Sequence, residues 1–409
     1  MKHVKLLKGL LFCSIFTVSG TGYLRAQDNN ATSDSALLDR ISALEQKVSD
    51  QKPGESHLMV AGLFTTGFVA NSTQTTTGGV GQKVTTNSMA DADHFEFSPM
   101  FLWRHGNNLL LEFEPSFDGT GLGVNWADVS YFAAPGLILR AGYFVLPFGT
   151  YNKRLAAGWI DKVAGDPVGV ADVPPASDFG VEVEGGLPMG STKWNYDVAL
   201  TNGMQLLPDG ELQSAGVVDN NKNKTITARI GFLPFSNSCL EIGVSGMFGK
   251  VGDMGSVYEN TKTDMYAVDL NFVKSINPFL VNIKGQYNII NLNDANYISP
   301  VDGSTYTFKN QTNTGFAQIS LRPNQGDSKF LTNLEFAFRY GNYKSPNQST
   351  WGQHTNAIDF GLDYWLTWRT VVKVTYESQK TDNTVPVVLG GDLSNVKNNS
   401  FYVQFSTEF

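Results

Sequence analysis

The chain has 409 residues, 41% of them hydrophobic and 12% aromatic, with 41 glycines and a formal net charge of −8. This composition excludes a disordered chain and a bundle of apolar helices, and the acidic balance argues against nucleic acid as a partner, because nucleic acid selects for basic faces. The length suits one large domain.

The N-terminus, MKHVKLLKGLLFCSIFTVSGTGYLRAQ, carries Lys2, Lys5 and Lys8 and an apolar run from Leu6 to Val18, followed by small residues up to Ala26. That pattern predicts a secretory signal peptide over 1–26, since the run is shorter than the roughly 20 residues a spanning helix needs. Removing Lys2, Lys5, Lys8 and Arg25 shifts the formal charge from −8 to −12 and leaves Cys239 as the one cysteine. An exported chain of this kind has no internal disulfide and no thiolate cluster for a metal.

Residues 27–54 predict a periplasmic helical segment and linker. Leu37, Ile41, Leu44 and Val48 are spaced as the a/d seam of a short coiled coil, with Asp39, Arg40, Glu45 and Lys47 outside. The alternative is one amphipathic helix lying on its own domain. Two heptads are marginal alone, so the seam would join subunits already held by other contacts. Lys52, Pro53 and Gly54 end the segment.

From 55 to 409 the pattern is period two, which predicts strands. About sixteen windows carry an apolar face: 59–70, 95–103, 109–117, 125–133, 137–145, 179–185, 194–200, 226–232, 240–248, 265–273, 279–289, 314–321, 334–340, 358–366, 370–378 and 401–409. The connections alternate in length. Short ones fall at 104–108, 133–136, 186–192, 233–238, 275–278, 322–329 and 365–368; long ones fall at 71–94, 146–178, 201–224, 249–264, 290–313, 341–356 and 379–400. Only DGTGLG (118–123) is short in a long slot. This predicts an all-β fold, a transmembrane antiparallel barrel with tight turns at one end and long loops at the other.

The two faces agree. Leu109, Leu111, Phe113 and Pro115 oppose Glu112 and Glu114; Phe179, Val181 and Val183 oppose Glu182 and Glu184; Leu334, Phe336, Phe338 and Tyr340 oppose Glu335 and Arg339. A one-residue slip would push the charges into hydrocarbon. Alternation assigns seven basic residues inward, Arg104, Arg140, Arg229, Lys284, Arg322, Arg339 and Lys373. It assigns fourteen acidic ones, Glu96, Glu112, Glu114, Asp128, Glu182, Glu184, Asp197, Glu241, Asp269, Glu335, Asp359, Asp363, Glu377 and Glu408. Such a lumen is net acidic, and the sign of the wall charges sets which ion a pore favours.

Enzyme and metal signatures are missing from the sequence. His57, His94, His105 and His354 show no metal-ligand spacing, and there is no G-x-S-x-G. Asp219, Asn221 and Asn223 in DNNKNK have oxygen-ligand spacing, but without the glycine and distal glutamate of a calcium loop they read as a plain outer loop. No cofactor is expected.

The closing stretch FYVQFSTEF, with Phe401, Phe405 and the terminal Phe409 on one face, resembles the C-terminal signature by which the outer-membrane assembly machinery recognises Gram-negative porins. A signal peptide, a short coiled coil, about sixteen strands and GYFVLPFGTYNKR (142–154) together resemble the phosphate-selective porin O and P family. The resemblance implies an outer-membrane homotrimer in which Pro147, Phe148 and Gly149 lead into a third loop, 150–177, that folds inward and narrows the pore. Lys153, Arg154, Asp161 and Lys162 would then sit at the constriction. Phosphate selectivity in that family rests on lines of basic residues, whereas the inward charges here predict weak cation preference. The expected function is passive diffusion of small hydrophilic solutes; the alternative is a barrel that binds surface ligands or carries apolar compounds. Arg140 with Lys153 and Arg154, set against Glu112 and Glu114, would impose a transverse field.

Overall fold

The computed structural model describes residues 56–77, 80–89, 95–171, 175–214 and 218–409. The predicted signal segment and the seam of Leu37, Ile41, Leu44 and Val48 lie outside the described residues. Sixteen antiparallel strands form a closed barrel: β1 (Ser56–Thr77), β2 (Glu96–His105), β3 (Leu109–Phe117), β4 (Leu122–Ala134), β5 (Leu137–Val145), β6 (Ser177–Met189), β7 (Thr192–Thr201) and β8 (Thr225–Leu233) make the first half. The second half is β9 (Leu240–Lys250), β10 (Lys262–Ile276), β11 (Phe279–Leu292), β12 (Gln311–Pro323), β13 (Leu334–Lys344), β14 (Gln353–Thr367), β15 (Thr370–Asn383) and β16 (Asn395–Glu408). Among the described residues no helix is long and apolar enough to cross a membrane.

Closure joins β16 to β1, from Leu63↔Glu408 to Thr76↔Asn395. It is completed by two backbone hydrogen bonds, Gly62 N to Phe409 O at 3.1 Å and Phe409 N to Gly62 O at 3.0 Å. A closed ladder leaves no unpaired strand edge, which is what allows strands to sit in hydrocarbon. Phe409 stacks on Phe97 with ring centroids 5.9 Å apart.

Outward positions are apolar and exposed, as at Phe113, Val181 and Phe336, while Glu114, Glu182 and Arg339 on the same strands are buried inside. The strands run further at their long-loop ends than the apolar alternation reaches. β1 continues through NSTQTTT and β16 begins at NVKNNS. There the wall has left the apolar zone, so its outer face carries no hydrophobic signature.

Two features depart from the sequence expectation. The first long connection, 71–94, contains a further strand, Val80–Met89, paired to β1 from Phe68↔Met89 to Thr77↔Val80. β2 pairs only with the lower part of β1, from Ser56↔His105 to Thr65↔Glu96. Threonine-rich segments favour strands without advertising an apolar face. Second, the interior is not uniformly charged. Inward-facing Ala199, Met247, Met265, Ala267 and Ile290 join Leu206, Tyr297 and Phe308 from the long loops in a buried apolar cluster. Half of the barrel therefore has its own hydrophobic core at the loop end.

Candidate functional site

The segment after β5 is built to leave the wall and cross the interior. Phe144, Leu146 and Phe148 anchor in the apolar cluster. Gly149 then takes a positive φ of +66°, and a Cβ there would lie 2.2 Å from the Gln286 carboxamide. Only glycine permits this approach. Past it, Gly149 N donates to Ser245 Oγ at 3.0 Å, and the Thr150 and Tyr151 amides donate to Gln286 Oε1 at 2.8 and 2.9 Å. Ser245 and Gln286 belong to β9 and β11, so the turn is bound to the inner wall. A short π-helical turn, Tyr151–Leu155, follows.

That turn directs Lys153 and Arg154 to different partners. Lys153 Nζ lies 2.9 Å from Glu182, 2.8 Å from Glu184 and 3.1 Å from Asp197. Burial alone would lower the pKa of Lys153, but the attraction of Asp197, Glu184 and Glu182 outweighs it and holds the ammonium above the ordinary lysine range. Arg154 pairs with Glu241 at 2.9 Å. Tyr151 Oη lies 2.7 Å from Asp166 and 3.1 Å from Asp161.

Further along, basic residues of β11, β13 and β15 hold the segment from the other side. Lys284 Nζ donates to Ile160 O at 2.9 Å, Arg339 pairs with Asp161 at 3.1 Å and Asp359 at 2.6 Å, and Lys373 Nζ lies 3.3 Å from Val163 O. Lys162 sits 3.8 Å from Glu335 and over the Trp365 ring at 4.3 Å. Ala164 N donates to Thr375 Oγ1 at 3.0 Å. The segment thus follows the inner wall from β6 to β15.

The other predicted wall residues are also committed. Arg140 reaches Glu112 at 2.9 Å, Asp128 at 3.0 Å and Glu182 at 3.4 Å. The expected separation of Arg140 from Glu112 across an open field is therefore corrected: its long side chain spans β4 and closes the gap. Arg229 pairs with Glu241 and Asp269 at 3.0 and 2.7 Å. Arg104 and Arg322 lie at turn ends, donating to Gly106 O and Thr332 O. Among the described residues no salt bridge engages Glu96, Glu114, Asp363 or Glu377; Glu114 accepts from Asn125 at 2.8 Å, and both carboxylate oxygens of Asp363 are buried without a hydrogen-bond partner.

On the side the segment leaves open, a cavity of about 310 Å³ lies between residues 156–166 and the wall of β1–β4, β15 and β16. Glu96, Asp118, Asp161 and Asp166 line it, and among the described residues Lys373 is its one basic lining residue. Asp118 accepts from the Thr120 hydroxyl and from the amides of Thr120 and Gly121, and these bonds hold its carboxyl below the usual aspartate range.

Sequence reasoning missed the neutral anchors Ser245, Gln286 and Thr375, which differ in nothing from other inward polar residues. It also missed the cluster around Met247 and Met265, although apolar residues on both faces of β9 and β10 were a signal for it. Phe401 faces outward and exposed, and Phe405 packs against Phe64 at 6.4 Å. Trp368, in the turn before β15, is exposed and sits edge-on to Trp159 of the inner segment at 6.5 Å. Ser56 Oγ lies 2.9 Å from His105 Nδ1, but among the described residues no carboxylate is hydrogen-bonded to that imidazole, which a serine–histidine nucleophile needs.

No family model matches the sequence, and no curated protein matches it. Solved structures do match. The outer membrane channel DcaP of Acinetobacter baumannii aligns over 88% of this chain and 100% of its own, with 13% identity and a TM-score of 0.55. An anion-selective porin from Comamonas acidovorans aligns over 87% of this chain and 100% of its own, with 14% identity and a TM-score of 0.51. This is the porin fold. OmpF of Salmonella typhi, solved with daunomycin, shares it at 12% identity and a TM-score of 0.50, over 86% of this chain and 97% of its own. Within this barrel, the inner segment and the off-centre cavity are the features that bear on function.

Proposed function

We propose that this chain is an outer-membrane porin giving passive diffusion of small hydrophilic solutes or ions, through a net-acidic pore narrowed by the inner segment. The observation that carries the reading is the polar cavity beside that segment, lined among the described residues by four carboxylates and one ammonium. A sixteen-strand barrel is wide enough to hold water, and a wall whose inward positions are charged keeps it wet. Most basic side chains are tied to carboxylates or loop carbonyls, so the surplus charge facing the cavity is negative, which favours cations.

The assignments around this core follow from the same reading. Residues 1–26 act as a signal peptide, 27–54 as a periplasmic coiled-coil segment and 55–409 as the barrel in outer-membrane lipid. The C-terminal Phe401, Phe405 and Phe409 address the barrel-assembly machinery, and the working unit is a homotrimer. Kinship to the phosphate-selective porins rests on the Pro147–Gly149 turn, without the anion selectivity that names them. A carrier of apolar compounds finds little support: the cavity beside the apolar cluster measures about 30 Å³, room for about one water.

Liposome swelling tests the passive-pore reading. Vesicles containing the protein should swell in uncharged sugars at rates that fall steeply with sugar size. Protein-containing vesicles that swell no faster than empty ones would refute it.

A further inference from the structure

Beyond the apolar band, the outer face of the barrel turns basic over one arc at the long-loop end. Tyr340 on β13, Tyr376 on β15 and Phe401 on β16 face outward and exposed. Four residues nearer the long loops, about 13 Å along each strand, the same face carries Lys344, Lys380 and Lys397, all exposed. Register sets Lys380 directly opposite Lys397, Lys397 opposite Gln74 on β1, and Gln74 opposite exposed Lys83 on the added strand Val80–Met89. Like charges directly opposite on neighbouring strands, with Cα atoms about 5 Å apart, repel and destabilise the sheet. An anion held between them removes that cost.

Among the described residues of this arc, one carboxylate faces outward with the four lysines: Asp382, 3.2 Å from Lys380 Nζ. The other outward lysine pair, Lys250↔Lys262 on β9 and β10, has Asp264 beside it, and Lys250 donates to Asn260 at 2.9 Å. The surplus of positive charge is therefore larger on the arc of β13–β16 and β1. Its height selects the partner. Outward tyrosines mark the boundary between hydrocarbon and head groups, so lysines one step beyond lie in the head-group layer of the leaflet that the long loops face. There their methylene stems lie along the wall while the ammonium groups reach lipid phosphate. We infer that Lys83, Lys344, Lys380 and Lys397 form a docking surface for the phosphate-bearing head group of an outer-leaflet lipid. The Lys380/Lys397 pair takes one phosphate between its two ammonium groups, in charge-assisted hydrogen bonds. The surface lies outside the barrel and does not depend on conduction.

Thermal unfolding of the folded protein in detergent, with bisphosphorylated lipid A added, tests this. The double variant Lys380→Gln/Lys397→Gln, which removes the repelling pair, should melt no lower than wild type without lipid. Lipid A should raise the wild-type melting temperature in a saturable way. In the variant its half-saturating concentration should rise about tenfold or more, the loss expected for two ammonium contacts to an anionic head group. Lys83→Gln/Lys344→Gln should raise it severalfold, and Lys274→Gln, outward at the opposite rim on β10, should leave it unchanged. Inorganic phosphate at equal concentration should not shift the wild type. A lipid response that ignores both double variants, or weakens as much in Lys274→Gln, would overturn the docking surface. So would an equal response to inorganic phosphate, which would make the lysines a site for free anions.

Discussion

At the scale of single residues, the interior is organised by opposite charges that meet. Lys153 shows the principle most clearly, because one ammonium serves three carboxylates from two adjacent strands. The gain is not the pair energy itself, which desolvation largely offsets, but the cost of leaving Glu182, Glu184 and Asp197 together without a cation. Lys153→Met should therefore destabilise the docked segment by roughly 3 kcal/mol, within the range for breaking a buried pair. The expected signs are a lower urea midpoint for barrel unfolding and noisier single-channel current. An unchanged midpoint with quiet current would mean that Gln286 and Ser245 hold the segment without help. The alternating charges were legible in the sequence, because period two fixes which side of the wall each occupies. Their pairing was not, since it depends on side-chain reach across strands and on a loop whose path no local pattern records.

At the scale of elements, the sixteen strands were legible because hydrocarbon on one side and water on the other impose an alternation that no soluble sandwich needs so strictly. β3 and β5 were readable to the residue, since a tight turn precedes each, their outer faces are apolar throughout, and Pro147 stops β5 soon after Val145. The long-loop ends of β1, β14 and β16 were not, because Thr- and Asn-rich wall beyond the apolar zone looks like loop. The same physics hid the strand Val80–Met89. For the seam expected at Leu37, Ile41, Leu44 and Val48 we propose a role in assembly. Deleting residues 28–52 should lower the temperature at which trimers dissociate on a semi-native gel while leaving the heat-modifiable barrel band intact. If trimer dissociation is unmoved by the deletion, the seam is not an assembly contact.

At the scale of the whole molecule, the barrel is asymmetric. An apolar core of wall and loop residues fills the loop end between β7 and β12, the segment after β5 lines the interior from β6 to β15, and the open volume lies toward β1–β4. Any flow would then pass one side of the barrel, along Glu96 and Asp118. Charges at that position act on a passing ion across a few ångströms, well inside the screening length, so they weigh more on permeation than the net charge of the chain. The reversal potential of single channels under a potassium chloride gradient tests this most directly. A potential favouring potassium is expected, shifting toward zero in Glu96→Gln/Asp118→Asn. A potential favouring chloride in the wild type would contradict the account, because it would mean that the basic residues drawn here as tied to carboxylates and carbonyls are the ones the ions meet.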